Sequence, residues 1–326
     1  MAEHNLAQAL TLALDHALGA DPDVLVLGED VGVTGGVFRI TDGLQEKYGA
    51  ERVVDTPVAE SGIVGAAFGM AVAGLRPIAE IQFLGFAYPA FDQIVSHVSR
   101  IRNRSRHRFT APLVIRIPYG AGIGAAEHHS ESTEAIFAHT PGVKVVVPAT
   151  PADAAGLLLT AVSDPDPVIF LEPIRSYRRM RGEVADPPAA VPFGEAATRR
   201  SGDDLTFIAY GAMLPDVLTA ADELEAAGVR ADVLDLRTLV PLDRAAVLES
   251  VRRTGRAVIV QEGHRTCGFA AELAAMIQEE ALYSLEVPVR RVTGWDTVVP
   301  LRRAEHHYVP TVARIVAAAE SALEGV

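Results

Sequence analysis

Glu60 is the residue best placed to do chemistry in this sequence, because it heads a helix that offers its carboxylate no solvation. It stands in the run Asp55-Thr-Pro-Val-Ala-Glu60-Ser-Gly-Ile-Val-Gly65-Ala-Ala-Phe-Gly69-Met-Ala-Val-Ala-Gly74. Pro57 fits the first turn of that helix, and Asp55 or Thr56 can cap it. From Ser61 to Gly74 every residue is apolar or small, and Gly62, Gly65, Gly69 and Ala73 recur at three- and four-residue steps, so another backbone can come close. The run ends at Arg76, short of the roughly 20 residues of a bilayer span. It therefore reads as a buried helix at a domain or subunit contact. Burial there holds a carboxylate toward its protonated form, which suits a group that must keep or share a proton near neutral pH. The competing reading is a plain partner for the helix dipole.

The second candidate is His128-His129-Ser130-Glu131-Ser132, which follows the glycine-rich stretch from Tyr119 to Gly124 and precedes a helix. Adjacent histidines in an extended segment point to opposite sides, so they do not readily share one metal. One of them can serve as an acid, a base or a substrate contact, or the pair can be structural. His139, between Phe137-Ala138 and Pro141, reads as a buried structural histidine. Several common signatures fail: no Gly-x-Gly-x-x-Gly opens a helix after the first strand, and there is no Walker loop, nucleophile elbow or zinc helix. The glycines from Gly32 to Gly36 match a phosphate loop only loosely.

The elements that must position these residues come from a chain of 326 residues, 49% hydrophobic, with a formal charge of −13. Length and composition support two soluble domains. The charge argues against nucleic acid as a partner of the whole surface, although Arg100, Arg102, Arg104, Arg106 and Arg108 form a local basic face on an irregular or extended segment. One cysteine, Cys267, excludes an internal disulfide and fits a reducing compartment. The N-terminus shows no basic segment followed by an apolar one, so cytoplasm is the default location and no membrane segment is expected.

Helices are expected at 5–19, 41–48, 90–104 and 152–162, with strands at 24–27, 77–83, 113–117, 143–147 and 168–171. Alternation of this kind implies a mainly parallel, doubly wound sheet. The stretch from Tyr177 to Pro192 lacks periodicity and reads as a linker. The pattern then restarts, with strands at 205–209, 231–236, 257–261 and 289–293 and helices at 214–227, 243–254 and 269–279. The expected organisation is a domain over 1–185, a linker over 186–200 and a smaller α/β domain over 201–326.

Taken in order, Gly28-Glu-Asp-Val-Gly32, Gly35-Gly-Val-Phe38, Thr41-Asp-Gly-Leu44, Asp55-Thr-Pro-Val-Ala-Glu-Ser-Gly62, Gly74-Leu-Arg-Pro77 and Glu80-Ile-Gln-Phe83 resemble one known family. His128-His-Ser-Glu-Ser132, Pro141-Gly-Val-Lys-Val-Val146, Leu234-Asp-Leu-Arg-Thr238 and Arg253-Thr-Gly-Arg256 continue the match. The family is the beta subunits of thiamine-diphosphate-dependent 2-oxo acid dehydrogenases, and the resemblance runs from near Leu6 to Pro310.

That resemblance implies a transketolase-like fold, with a pyrimidine-binding domain before a C-terminal domain. It also implies a separate alpha subunit in a two-alpha, two-beta heterotetramer, the alpha subunit holding magnesium and the cofactor's diphosphate. Glu60 takes the place of the family glutamate that bonds the ring nitrogen of the aminopyrimidine, and Gln82 and Phe86 match positions near that ring. His129 matches the histidine facing the channel for the 2-oxo acid and the lipoyl arm of the acyltransferase core. Glu131 replaces a common glutamine. Leu113, Ala161, Val162, Asp164 and Asp166 match a potassium site; a helix end turning through Asp164-Pro-Asp-Pro167 is the alternative there. The implied activity is oxidative decarboxylation with reductive acylation of a lipoyl group. Gly122 to His129 looks like branched-chain members and places branched-chain substrates narrowly ahead of pyruvate, whereas Ile208 to Met213 and Val260-Gln-Glu262 look like pyruvate members. A non-catalytic scaffold subunit of the same fold is the remaining alternative.

Overall fold

Asn5 opens the first helix with a capping box: its side chain accepts from the Gln8 amide at 2.9 Å while Gln8 accepts from the Asn5 amide. Leu6, Leu10, Leu14 and Leu18 then repeat every four residues and are all buried, each contributing on the order of 2 kcal/mol. The computed structural model describes residues 2–325.

The chain begins β1 (Ala2–Asn5), α1 (Leu6–Ala20), β2 (Val24–Gly28), α2 (Leu44–Tyr48), β3 (Val53–Asp55), α3 (Glu60–Val72) and β4 (Arg76–Glu80). It continues through α4 (Ile101–Arg104), β5 (Val114–Tyr119), α5 (Glu134–Ala138), β6 (Lys144–Val146), α6 (Pro151–Ser163), β7 (Val168–Pro173) and β8 (Arg181–Val184). The second half runs β9 (Ala197–Arg200), β10 (Leu205–Ala209), α7 (Leu214–Ala226), β11 (Ala231–Asp235), β12 (Thr238–Val240) and α8 (Arg244–Thr254). It ends with β13 (Ala257–Val260), α9 (Phe269–Ala281), β14 (Arg290–Val292), α10 (Glu305–Tyr308) and α11 (Val312–Glu324).

Two mainly parallel sheets result, as the alternation implied. The larger has seven strands in the order β12-β6-β7-β5-β4-β2-β3, and the smaller has five in the order β14-β13-β10-β11-β9. Helices α1 and α6 cover one face of the large sheet. Its other face shares a core with α3 and with α8 and α9 of the second half, while α7 and α11 cover the far side of the small sheet.

Several elements depart from expectation. The helix expected over 90–104 is broken into a π turn at Gln93–His97, a 3-10 turn at Val98–Arg100 and the short α4. The Val95 carbonyl shows why: Ser99 Oγ and Arg100 Nε both donate to it, competing with the helical ladder. The arginines from 100 to 108 therefore lie on turns and a single helical turn, largely exposed, with Arg106 and His107 at positive φ. Residues 197–200, the end of the expected linker, form β9 antiparallel to β11, and β12 crosses over to pair antiparallel with β6. Strand β9 reads Ala-Thr-Arg-Arg, with no apolar alternation to reveal it. Helix α11 was also unforeseen, although Thr311 accepts from the Arg314 amide as its N-cap and Ile315, Ala319 and Ala322 are buried at helical spacing.

Candidate active site

Parallel register brings the candidate residues to one edge. Gly28 of β2 lies beside Asp55 of β3 and Glu80 of β4, and Glu80 lies beside Arg116 of β5. The segments that follow these strands therefore leave from the same end of the sheet: Glu29 after β2, Glu60 after β3, Gln82 and Phe86 after β4, and the His129 loop after β5. Strands β2 and β4 are neighbours whose onward connections run to opposite sides, β2 to β3 and β4 to β5, so the sheet edge between them is a topological switch point, the place where ligands bind in open α/β sheets.

Glu60 is the first residue of α3, but the helix is not capped as expected. Its N-cap is Ala59, with no side-chain bond, and Pro57 lies outside the helix. Asp55 is occupied elsewhere: its Oδ1 accepts from the Gly32 amide at 2.6 Å and its Oδ2 from the Val33 amide at 3.2 Å, so it fixes the Gly32–Gly36 loop. Nor does the chain by itself bury the helix on all sides. Ile63, Val64, Ala67 and Ala71 are buried, whereas Ser61, Gly62, Ala66, Gly69 and Ala73 are exposed. Glu60 is half-buried, and among the described residues its carboxylate has no hydrogen-bond partner.

Glu29 is a candidate site residue that motif spacing left unassigned. Burial first, then the charges of Asp30 and Glu60, push its carboxyl above the usual carboxylate range. Its backbone oxygen lies 3.4 Å from Nε2 of Gln82, a long contact that leaves the Gln82 amide largely free. Its signal in the sequence was a glycine and two acids at the end of a buried strand.

His129 is held by aromatic rings. Its imidazole lies 4.5 Å from Phe83 and 4.9 Å from Phe86, which themselves pack edge to face at 5.4 Å. Gly85 makes room for this contact, since a Cβ there would meet the His128 carbonyl oxygen at 2.3 Å. His129 Nδ1 is 2.9 Å from the Glu127 carbonyl oxygen. His128, at φ 67°, is exposed. His139 is exposed rather than buried, because α5 ends at Ala138 and the residue caps it on the rim of a large groove.

Below this edge of the sheet lies a buried ionic network. Arg116 Nη1 donates to Glu80 at 2.7 Å, its Nε and Nη2 donate to Glu172 at 2.6 and 2.9 Å, and Tyr177 donates to Glu172 at 2.5 Å. The Tyr177 ring packs 5.1 Å from Phe38, which packs 5.5 Å from Phe83. The network thus supports the aromatic wall behind His129.

The residue types suit an aminopyrimidine: two carboxylates, a free amide, an aromatic face at Phe86 and the Thr56 hydroxyl, which is buried without a partner. The five residues matched to a potassium site do gather where α6 ends beside β5, and both carboxylates and three of the five backbone carbonyls already accept hydrogen bonds. Lys144 donates to both carboxylate oxygens of Asp164 at 2.6 Å, Arg102 donates to Asp166 at 2.6 Å, and Arg76 donates to the Val162 carbonyl at 2.9 Å. The Leu113 and Ala161 carbonyls accept from the Val168 and Asp164 amides. A potassium ion held by these carbonyls would sit near three positive groups, which weakens its binding.

Comparison with known proteins agrees with the fold. Residues 2–180 match the transketolase pyrimidine-binding domain and residues 194–315 the transketolase C-terminal domain. The chain is 49% identical to the pyruvate dehydrogenase E1 component subunit beta of Acholeplasma laidlawii, over 97% of each chain. It is 48% identical to the Bacillus subtilis subunit of the same name, covering 99% of this chain and all of that one. Among solved structures it is similar to a split-gene transketolase described as an inactive beta4 tetramer, at a TM-score of 0.82 and 27% identity over 98% of each chain. The chain belongs to the beta-subunit family of thiamine-diphosphate-dependent 2-oxo acid dehydrogenases.

Proposed function

We propose that this chain supplies the pyrimidine side of a pyruvate-decarboxylating active site, completed by an alpha subunit in a two-alpha, two-beta heterotetramer. The observation that carries the reading is Glu60: a carboxylate without a partner, on a helix whose small-residue face is exposed. Val33 and Val58 at the same edge are 85% and 71% exposed, apolar surface that suits a second chain. Magnesium and the diphosphate, in this reading, sit on the alpha subunit. A single cysteine suits the reducing cytoplasm, where we place the complex.

Bound thiamine diphosphate supplies a carbon nucleophile and an electron sink for decarboxylation. The chain's own residues hold and move protons around it. Glu60 would bond the aminopyrimidine ring nitrogen and share a proton with it, with Glu29 the neighbouring carboxyl on the same edge. Gln82 would orient the ring through its free amide, and Phe86 would shield it from water. His129 has Nδ1 engaged with a carbonyl, so its Nε2 is the nitrogen able to accept a proton from, or return one to, the reacting oxygen or the lipoyl sulfur.

Pyruvate takes precedence over branched-chain substrates, reversing the order read from sequence. The support is the similarity to pyruvate dehydrogenase subunits at 45–49% identity. The stretch that favoured branched-chain substrates, Gly122 to His129, serves loop geometry: Gly122 and Gly124 sit at positive φ with amides bound to Glu305. The test is to purify the chain with its alpha subunit, add thiamine diphosphate and magnesium, and compare pyruvate with 3-methyl-2-oxobutanoate. Higher kcat/KM for pyruvate is expected; a preference for the branched substrate overturns the substrate assignment, and failure on both sinks the enzyme reading.

A further inference from the structure

We infer that Glu305 and Glu262, two carboxylates of the C-terminal domain remote from the chemistry, are positioning residues that hold the loop carrying His129. The inference rests on the reading of His129 as a site group. The loop from Gly120 to Ser132 has little structure of its own: residues 122 and 123 and 126 to 128 are exposed, and Gly120, Gly122 and Gly124 have φ of 101°, 98° and 67°. Such a segment keeps one conformation only if something outside it takes up its backbone donors.

The C-terminal domain does this at two levels. At the base, Glu262 Oε1 accepts from the Ala121 amide and, at 3.1 Å, from the Ser132 hydroxyl, so one oxygen ties both ends of the loop. Higher up, the two oxygens of Glu305 accept separately from the Gly122 amide at 2.7 Å and the Gly124 amide at 2.8 Å. Positive φ at alternate residues turns those two amides to one side, forming a nest for an anion. The nest leaves no room for side chains: a Cβ on Gly122 would lie 2.6 Å from Arg175 Cδ, and one on Gly124 would lie 3.0 Å from Arg302 Cγ. Both carboxylates are buried, so these bonds are shielded from water.

Five residues beyond Gly124 the loop delivers His129 between Phe83 and Phe86. Its far end is fixed by the rings and its near end by Glu305. Losing the near anchor leaves the histidine packed against the rings only part of the time.

The experiment uses the assembled complex with thiamine diphosphate and magnesium. Glu305→Ala removes both acceptors; Glu305→Gln keeps one and serves if the alanine variant fails to assemble. Glu305→Ala is expected to lower kcat by roughly 10²-fold, the scale of a slight misplacement of a catalytic group. Glu305→Gln is expected to lower it by a smaller factor. Amide hydrogen exchange should speed up across residues 121–129 in either variant and stay unchanged in the sheets. In a double-mutant cycle, Glu305→Gln should cost almost nothing once His129 is alanine. Unchanged exchange at the loop, or a loss that multiplies fully with the His129 substitution, overturns the positioning role. Should His129→Ala alone leave turnover intact, the reading of His129 fails instead, and the exchange result still decides whether Glu305 holds the loop.

Discussion

The carbonyl oxygen of Glu127 lies 2.9 Å from Nδ1 of His129, two residues on, and it fixes the tautomer of the imidazole. A carbonyl only accepts, so Nδ1 is the donor in this contact and Nε2 is the nitrogen left free of it. With the ring set between Phe83 and Phe86, the histidine is prepared for proton transfer before substrate arrives. His129→Ala in the assembled complex should lower kcat with pyruvate by about 10²-fold or more, the range for losing a positioned acid–base group. Steady-state kinetics check this, and a change confined to KM would assign His129 to binding alone.

Arg116 carries a different prediction. It is fully buried and neutralises Glu80 and Glu172 on two neighbouring strands. Arg116→Met keeps volume but strands two buried carboxylates, and removing one partner of a buried pair costs about 3–5 kcal/mol. Denaturant unfolding should show a lower midpoint. Because Tyr177 and Phe38 link this network to Phe83, turnover measured well below the new midpoint should fall as well.

Asp235 makes stability depend on pH. It is buried between Arg199 and the β11 turn, and burial, only partly offset by Arg199, pushes its carboxyl from 3.8 up to about 6. The folded chain then holds a proton that the unfolded chain has released, so stability is greatest below the unfolded value and declines as pH rises toward about 6. Asp235→Asn removes that contribution. The wild-type melting temperature should therefore fall relative to the variant between about pH 4 and pH 6, and the gap should be constant above that. Parallel thermal melts across this range decide it; a gap that moves the other way refutes the assignment.

Exchange of potassium for sodium or choline should change neither the melting temperature nor the turnover. Asp164 and Asp166 are already paired with Lys144 and Arg102, and the Val162 carbonyl accepts from Arg76, so an ion here would meet three cations. A potassium-specific rise in stability would show that these three cations yield to the ion.

Much of this was legible in the sequence because it follows from local pattern. The buried strands at 24–28, 114–119, 168–173, 205–209 and 257–260 read as short, mainly apolar runs despite Arg116, Glu172 and Thr206, and α1, α6, α7, α8 and α9 read as helices from their helical pattern. The candidate site was legible at Glu60 and the His129 loop from residue types within one segment, whereas Gln82 came only through the family resemblance. What escaped depends on partners distant in the chain. Strand β9 exists because β11 is there to pair with it, and Asp55 turned from the expected cap to the Gly32 loop because two amides about 22 residues away needed an acceptor. The anchors at Glu262 and Glu305 lie more than a hundred residues from the amides they hold, and no local spacing signals them.

The most direct test of the account is Glu60→Gln in the complex with the alpha subunit. Glutamine preserves length and the start of α3 but gives up the carboxylate that must share the ring proton. The account predicts normal assembly by size and a fall in pyruvate turnover of at least about 10²-fold. Normal assembly with unchanged turnover would contradict it.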